Sequence, residues 1–300
     1  MKKILNYGSL NIDYVYDVDH FVTAGETISA TNLTIYCGGK GLNQSIAAAK
    51  AGANVYHAGK IGVNGTMLKE MLNESNVNTK YITESDTQNG HAIIQLDPSG
   101  QNCILLYSGS NHCITEEDVD NCISHFDEGD YLVLQNEINL IPYIMKKAAM
   151  RGMKIVFNPS PITEELMEYP LHLVSLFVLN EIEGKALSGE DIPEQILDVL
   201  HKKYPNAEIL LTLGSKGAVY YDGKQKISHG IYRTNVVDTT AAGDTLTGYF
   251  VAGISNGKDT AFALAQASLA SAIAISRQGA APSIPDINEV KNCTFDYLGG

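Results

Sequence analysis

The chain has 300 residues, of which 44% are apolar and 18% charged; that is enough for a sizeable core in one large domain or two small ones, and too apolar for a disordered segment. Its 34 acidic and 21 basic residues give a net charge of -13, which excludes a global attraction to nucleic acid or anionic membranes and leaves any anionic ligand to local groups. Five cysteines (Cys37, Cys103, Cys113, Cys122 and Cys293) form no C-x-x-C pair, the start "MKKILNYGSL" is too short in apolar residues for a signal peptide, and no stretch approaches the roughly 18 apolar residues of a membrane helix, so a cytoplasmic protein with reduced thiols is expected.

In chain order, short apolar runs ending in Gly, Asn or Thr alternate with segments of helical period, the pattern of an α/β fold with a largely parallel sheet. Expected strands are "KILNYGS" from Lys3, "NVYHAG" at 54–59, "DYLVLQ" at 130–135, "KIVFNP" at 154–159, "LFVLN" at 176–180 and "EILLTLG" at 208–214. Helices are expected at 41–52, 64–75, 139–151 and 192–204, and two helices rich in small residues at 243–255 and 259–276. Residues 12–36 and 89–107 break the rhythm and read as strands and turns, the second a hairpin around Pro98-Ser99-Gly100. They suit a small sheet standing off the main one as a lid, within a single α/β unit spanning 1–300. The tail after 285 carries no signal.

Ligands of open α/β sheets bind beyond the carboxyl ends of the strands. Those ends carry Asn11-Ile12-Asp13, Asn136-Glu137, Asn180-Glu181-Ile182-Glu183 and Gly214-Ser215-Lys216-Gly217, although strand ends lead into loops and loops are polar. "CGGKGLNQ" from Cys37 is not a Walker loop, because Gly41 follows Lys40 where Ser or Thr is required. It offers Lys40 and Asn43 at a helix start, or simply a close-packed turn. Asn180 and Glu183 read first as a capping box and second as groups holding the waters of a Mg²⁺ ion. Zinc spacings and a G-x-S-x-G elbow are absent.

"VVDTTAAGDTLTG" at 236–248 sets Asp238 and Asp244 around small residues. An N-cap accounts for an aspartate at a helix start. Backbone N–H groups at a helix N-terminus also suit a phosphoryl group, and an aspartate just after them makes sense as the acceptor of a hydroxyl proton.

"GSLNID", "GGKGLNQ", "NPSP", "LNEIE", "LTLGSKG", "VDTTAAGDT" and "SRQGAAPSIP", in that order through nearly the whole chain, resemble the ribokinase branch of the PfkB carbohydrate-kinase family. The resemblance implies a ribokinase-like doubly wound sheet with a small β lid that often forms a dimer clasp, and ATP-dependent phosphorylation of a sugar hydroxyl. It makes Asp244 the base and the N–H groups of Ala241, Ala242 and Gly243 an anion hole. Asn11, Asp13, Gly39, Lys40, Asn43 and Glu137 would hold the sugar, with Asp244 on the reacting hydroxyl. Asn180 would serve the nucleotide phosphates and Glu183 a hydrated Mg²⁺, while Thr212, Gly214, Ser215, Lys216 and Gly217 line the nucleotide beside Gly243 and Ser268. The family's K⁺ site maps to Asp238, Thr240, Ala274, Arg277, Gly279 and Ser283, largely through main-chain oxygens. Two departures stand out: Ala24-Gly25-Glu26-Thr27 replaces the usual Pro-Gly-Glu-Thr, which would loosen that turn, and Ser268 replaces Asn or His against the base.

Only three arginines occur, Arg151, Arg233 and Arg277, and none falls on the acceptor side, where a sugar phosphate would need an Arg or Lys fork. A neutral sugar is therefore expected, ribose first. Deoxyribose, fructose or a nucleoside resting on Tyr14, Tyr16 or His91 is the second choice, and a sugar-binding regulator without catalysis is the reading from another class.

Overall fold

In the computed structural model, which describes residues 2–299, the chain begins with β1 (Lys3–Tyr7), whose side chains alternate between two separate cores: Ile4 joins one and Leu5 with Tyr7 the other. β2 (Asn11–Asp17) and β3 (Asn32–Gly38) leave this layer for the lid. α1 (Lys40–Lys50), β4 (Asn54–Val63), α2 (Thr66–Glu74) and β5 (Asn78–Gln88) return to it. β6 (Gly90–Leu96) and β7 (Asn102–Tyr107) complete the lid, and α3 (Glu116–Ile123) follows. The middle of the chain supplies β8 (Tyr131–Gln135), α4 (Ile141–Met150), β9 (Lys154–Asn158), β10 (Leu176–Asn180), α5 (Glu181–Ser188), α6 (Pro193–Lys203) and β11 (Glu208–Thr212). β12 (Ala218–Tyr221), β13 (Lys226–His229), α7 (Ala242–Ser255), α8 (Thr260–Ala274) and α9 (Ile287–Asn292) end it.

The main sheet has nine strands in the order β13-β12-β11-β10-β9-β8-β1-β4-β5. Its pairs are parallel except β11–β12 and β12–β13. Parallel strands need both faces covered. One face carries α1, α2, α7 and α8 through Leu42, Ile46, Leu68, Tyr249, Phe250 and Leu264; the other carries α3, α4 and α6 through Val119, Ile144, Met145, Leu197 and Leu200. No helix among the described residues is long and apolar enough to cross a membrane.

The lid is a four-stranded sheet in the order β3-β2-β6-β7, with β2 and β6 parallel and both outer pairs antiparallel. Its hairpin turn is held by Asp97, whose Oδ1 accepts from the amides of Ser99 at 2.8 Å and Gln101 at 3.0 Å. At Ala24-Gly25, where Ala replaces the usual Pro, the Glu26 carboxylate accepts from the Thr23 amide at 3.1 Å and meets His20 Nε2 at 2.8 Å.

The close approach of helices explains the small residues. A Cβ on Gly41 would lie 2.6 Å from the Gly8 carbonyl carbon, so the first turn of α1 rests on the end of β1. A Cβ on Gly248 would lie 2.5 Å from that of Ala47, so α7 rests on α1. Gly248 stands one turn after Asp244, and Ala47 and Ala48 one turn after Asn43 and Gln44. Packing at the small residues therefore presses the three polar side chains together.

Candidate active site

Asp244, in the first turn of α7, is 8% exposed, and both its oxygens are fixed from α1: Asn43 Nδ2 donates to Oδ2 at 3.0 Å and Gln44 Nε2 to Oδ1 at 2.9 Å. Burial raises its carboxyl above the usual range, against the opposing pull of the Lys40 charge and the two amide donors. A carboxylate whose affinity for a proton is raised by burial is suited to accept one.

The N-terminus of α7 has no side-chain cap, so the capping role open to Asp244 in the sequence is not the one it takes. The amides of the expected anion hole differ in their partners. The Ala242 amide already donates to the Thr239 carbonyl at 3.1 Å, whereas the amides of Ala241, Gly243 and Asp244 take no acceptor among the described residues. The free donors at this helix start are thus those of Gly243 and Asp244, with Ala241 before them.

On the acceptor side, Gly39 precedes α1 with φ of 94°, a left-handed backbone that places it beside β2: a Cβ there would lie 3.2 Å from the Asn11 amide nitrogen. Glu137, just after β8, accepts from the Lys40 amide at 3.1 Å and from the Ser9 hydroxyl, and Ser9 Oγ in turn accepts from the Gly41 amide at 3.2 Å. Asp13 stands on β2 opposite Tyr36, with its carboxylate over Gly38. Burial and then the Glu137 charge push its carboxyl up to about 7. Burial also raises Glu137, against the attraction of Lys40. Burial would lower the Lys40 ammonium, but Asp244, Glu137 and Glu183 outweigh it and hold the pKa up. Asn11 accepts from Asn111 Nδ2 at 2.7 Å, and Asn43 Oδ1 is buried without a partner among the described residues. The structure thus brings Asn11, Asp13, Gly39, Lys40, Asn43 and Glu137 to one place, facing Asp244.

Beyond Asp244 lie two cavities that share Thr212 and Gly243. The first, about 140 Å³, has Lys40, Asn158, Ser160, Glu183 and Asp244 on its walls; the second, about 480 Å³, runs between Gly214, Ser215 and Gly217 and the helices α7 and α8. Lys216 does not line the larger cavity, whereas Ser268 does, its hydroxyl buried and unpartnered among the described residues. Asn180 and Glu183 form the capping box in full: Asn180 Oδ1 accepts from the Glu183 amide at 2.8 Å, and Glu183 Oε2 from the Asn180 amide at 2.9 Å. Glu183 nonetheless faces the smaller cavity, so capping and ligand roles share one carboxylate, which has more lone pairs than the cap occupies.

Asp238 occupies different ground. Its Oδ1 accepts from the Thr240 amide at 2.9 Å and its Oδ2 from the Gly279 amide at 3.0 Å, tying the loop before α7 to the loop after α8. Ser283 donates to the Ala280 carbonyl at 2.8 Å, Arg277 pairs with Glu289 at 2.6 Å, and the Arg277 amide donates to the Ala274 carbonyl at 3.1 Å. Among the described residues no group of three or more His, Cys, Asp or Glu gathers, so a cation here would depend on main-chain oxygens.

Gln44, Ser9, Gln135 and Asn158 belong to the site but escape sequence reading. Gln44 accepts from Gln135 Nε2 at 2.7 Å, and Gln135 also donates to Asn6 at 3.1 Å. Only the position of Gln44, directly after Asn43 in the first turn of α1, could have signalled it.

A buried carboxylate between a cluster of polar side chains and a two-part cavity at the strand ends is the arrangement expected of a group-transferring enzyme of the α/β class. The pattern of the pfkB family carbohydrate kinase matches residues 1–287. A ribokinase of Haemophilus influenzae is 34% identical over 99% of both chains. Among solved structures, ribokinase from Cryptococcus neoformans in complex with ADP has a TM-score of 0.84 at 34% identity, covering 97% of this chain and 99% of its own. Arabidopsis thaliana ribokinase complexed with ribose and ATP has a TM-score of 0.85 at 28% identity, covering 97% of each. The chain belongs to the pfkB family of carbohydrate kinases and has the ribokinase fold.

Proposed function

We propose that this kinase transfers the γ-phosphate of ATP to the 5-hydroxyl of D-ribose. The observation that carries the reading is Asp244, buried and held by Asn43 and Gln44, at the point where the acceptor residues meet the smaller cavity. The sugar lies across Asn11, Asp13, Gly39, Lys40, Asn43 and Glu137. The unpartnered Asn43 Oδ1 accepts from one hydroxyl, and the Asp13 and Glu137 carboxylates from others. These carboxylates oppose a phosphorylated sugar, and the ribose named in the Arabidopsis complex agrees with a neutral acceptor.

In the reaction the sugar oxygen attacks the γ-phosphorus, its proton passes to Asp244, and ADP leaves. The Gly243 and Asp244 amides, with the positive end of α7 behind them, take the charge on the transferring group. Lys40 lies between the phosphate cavity and the acceptor, where it offsets the charge of Asp244, Glu137 and Glu183. The larger cavity fits a nucleoside, and the free hydroxyl of Ser268 offers the base a hydrogen bond. Mg²⁺ neutralises phosphate charge when bound. The Glu183 carboxylate, facing a cavity with room for water, is the group that would orient its hydration shell. A K⁺ ion held near Asp238 by main-chain oxygens would order the loop leading into α7.

We further propose a cytoplasmic homodimer joined through the lid. Ile104, Leu105, Leu106 and Tyr107 of the edge strand β7 are 44–67% exposed, an apolar edge that pairing with a second lid would cover. All five cysteines are unpaired, as a reducing compartment requires.

The test is phosphoryl transfer from ATP to ribose, 2-deoxyribose, fructose and several nucleosides, with and without K⁺. Ribose should give the highest kcat/KM, and K⁺ should raise it. A higher value for another acceptor overturns the ribose assignment; sugar binding without turnover of any acceptor establishes a regulator instead.

A further inference from the structure

The last described residues, silent in the sequence, build part of the larger cavity. After α9 the chain runs back antiparallel to residues 231–233. Leu298 donates its amide to the Ile231 carbonyl at 2.9 Å, Arg233 to the Asp296 carbonyl at 2.8 Å and Ile231 to the Gly299 carbonyl at 3.1 Å, with a bridge between Tyr232 and Tyr297. Tyr297 adds a side-chain tie: its hydroxyl accepts from the Gly230 amide at 3.0 Å, and its ring lies 4.8 Å from that of His229 and 5.5 Å from that of Tyr232. Residues 230–234 form one wall of the 480 Å³ cavity, and Leu298 lines the same cavity.

Segment 230–234 follows the edge strand β13 and belongs to no helix or strand. The partners of its Ile231 and Arg233 amides come from the tail alone. Tyr297 and Leu298 are about half exposed, at 51% and 48%. Such residues add little to the core, while an apolar side chain on a cavity wall gains burial when a flat ligand covers it. The family pattern ends at residue 287, so the tail 294–299, though not the segment 230–234 it braces, lies outside what the pattern describes.

We infer that residues 294–299 are a nucleotide-binding wall: Leu298 packs against the base or ribose of the nucleotide, and Tyr297 is a positioning residue that holds 230–234 in place. The inference rests on the assignment of the larger cavity to the nucleotide. It separates the two substrates, since the tail has no hydrogen bond to Asn11, Asp13, Asn43 or Glu137.

The experiment uses the full chain with Leu298→Ala, Leu298→Met and Tyr297→Ala, measuring ADP affinity by calorimetry, KM for ATP and for the sugar, kcat, and thermal unfolding. Leu298→Ala should weaken ADP binding and raise the ATP KM by roughly 5–20-fold, the worth of a partly covered apolar side chain, with sugar KM, kcat and unfolding temperature near those of the parent. Leu298→Met should restore most of the affinity, and Tyr297→Ala should act in the same direction as Leu298→Ala. Unchanged ADP affinity in both alanine variants, or a sugar KM that rises in step with that for ATP, overturns the proposal. Failure of the kinase reading shows separately, as a parent protein that turns over no sugar; if that protein still binds ADP and loses affinity on Leu298→Ala, the wall stands.

Discussion

Gln44 and Asp244, 200 residues apart in sequence, share a hydrogen bond of 2.9 Å that fixes the Oδ1 oxygen of the proposed base. Gln44 reaches this position through its own acceptor bond from Gln135 Nε2 at 2.7 Å, so a chain of amides beneath the sheet ends sets the orientation of the carboxylate. Gln44→Leu removes the donor, which both loosens Asp244 and raises its pKa further. We expect kcat to fall by roughly 10–100-fold with little change in sugar KM, and the acid limb of the pH profile to move up. The stranded Gln135 amide should cost about 1–3 kcal/mol of stability, read by denaturant titration. A variant with parental kcat would remove Gln44 from the mechanism.

Asp244→Asn tests the base itself. One oxygen becomes an amide facing donors, so either Asn43 or Gln44 loses its acceptor, yet the packing of Gly248 on Ala47 is untouched. Turnover should drop by about 10²–10⁴-fold, the usual worth of a general base, with sugar affinity changed only modestly. Because Lys40 opposes the rise of the Asp244 pKa, Lys40→Met should shift the acid limb of kcat/KM to higher pH; a limb that stays in place or moves down separates Lys40 from Asp244.

Asp13 links the sugar site to stability. Burial and the neighbouring Glu137 charge push its carboxyl up to about 7, well above the usual carboxylate range, so between the two values the folded state binds a proton that the unfolded chain has released. The associated stability is complete below about 3.8 and is lost as pH rises toward 7. The displacement is worth roughly 4 kcal/mol. Asp13→Asn abolishes this term, so unfolding measured at pH 5 and pH 8 in the absence of sugar should show the variant gaining on the parent at pH 8. Sugar affinity should fall, since the amide offers one acceptor oxygen where the carboxylate offers two. Equal stability differences at the two pH values would show that Asp13 does not titrate in this range.

A Cβ on Gly243 would meet nothing within 4 Å, although Gly243 lines both cavities. Gly243→Ala should therefore fold as well as the parent and unfold at a similar or higher temperature, since glycine in a helix costs about 1 kcal/mol relative to alanine. Its methyl group occupies space required by the transferring phosphoryl group, and kcat should fall at least 10-fold. Retained activity would place the phosphate elsewhere.

The six contiguous strands β11-β10-β9-β8-β1-β4 and the two helices rich in small residues near the end were legible because continuous apolar runs and helical period are strong local signals. β5 (NTKYITESDTQ) was not, because it is an edge strand with most of its side chains exposed and too few apolar residues to alternate. β12 and β13 have four residues each, too short for a pattern. α3 carried a readable signal in Thr115 and Asp118, which form a capping box. Asp244, Asn43 and Glu137 could be named from motif and strand end, whereas Gln44, Ser9 and Gln135 entered the site only through long-range packing. The partner of the Ala242 amide was illegible for a related reason: whether a helix-start N–H has an acceptor depends on the turn before it, and Thr239 closes that turn.

The lid supplies the last prediction. Strand β7 is exposed along its whole length, and Leu105, at 67%, is its most exposed large apolar residue. An uncovered apolar edge strand is prone to pair with another chain. Leu105→Lys places a charge in the proposed lid-to-lid contact without touching the core or any site residue. Light scattering should show the parent as a dimer and the variant as a monomer of about half the mass. Because β2 carries Asn11 and Asp13 in the same sheet, loss of the clasp should also raise sugar KM several-fold while leaving the affinity for ADP unchanged. A parent protein that is monomeric at assay concentration, or a variant that remains dimeric, rejects the lid as the interface.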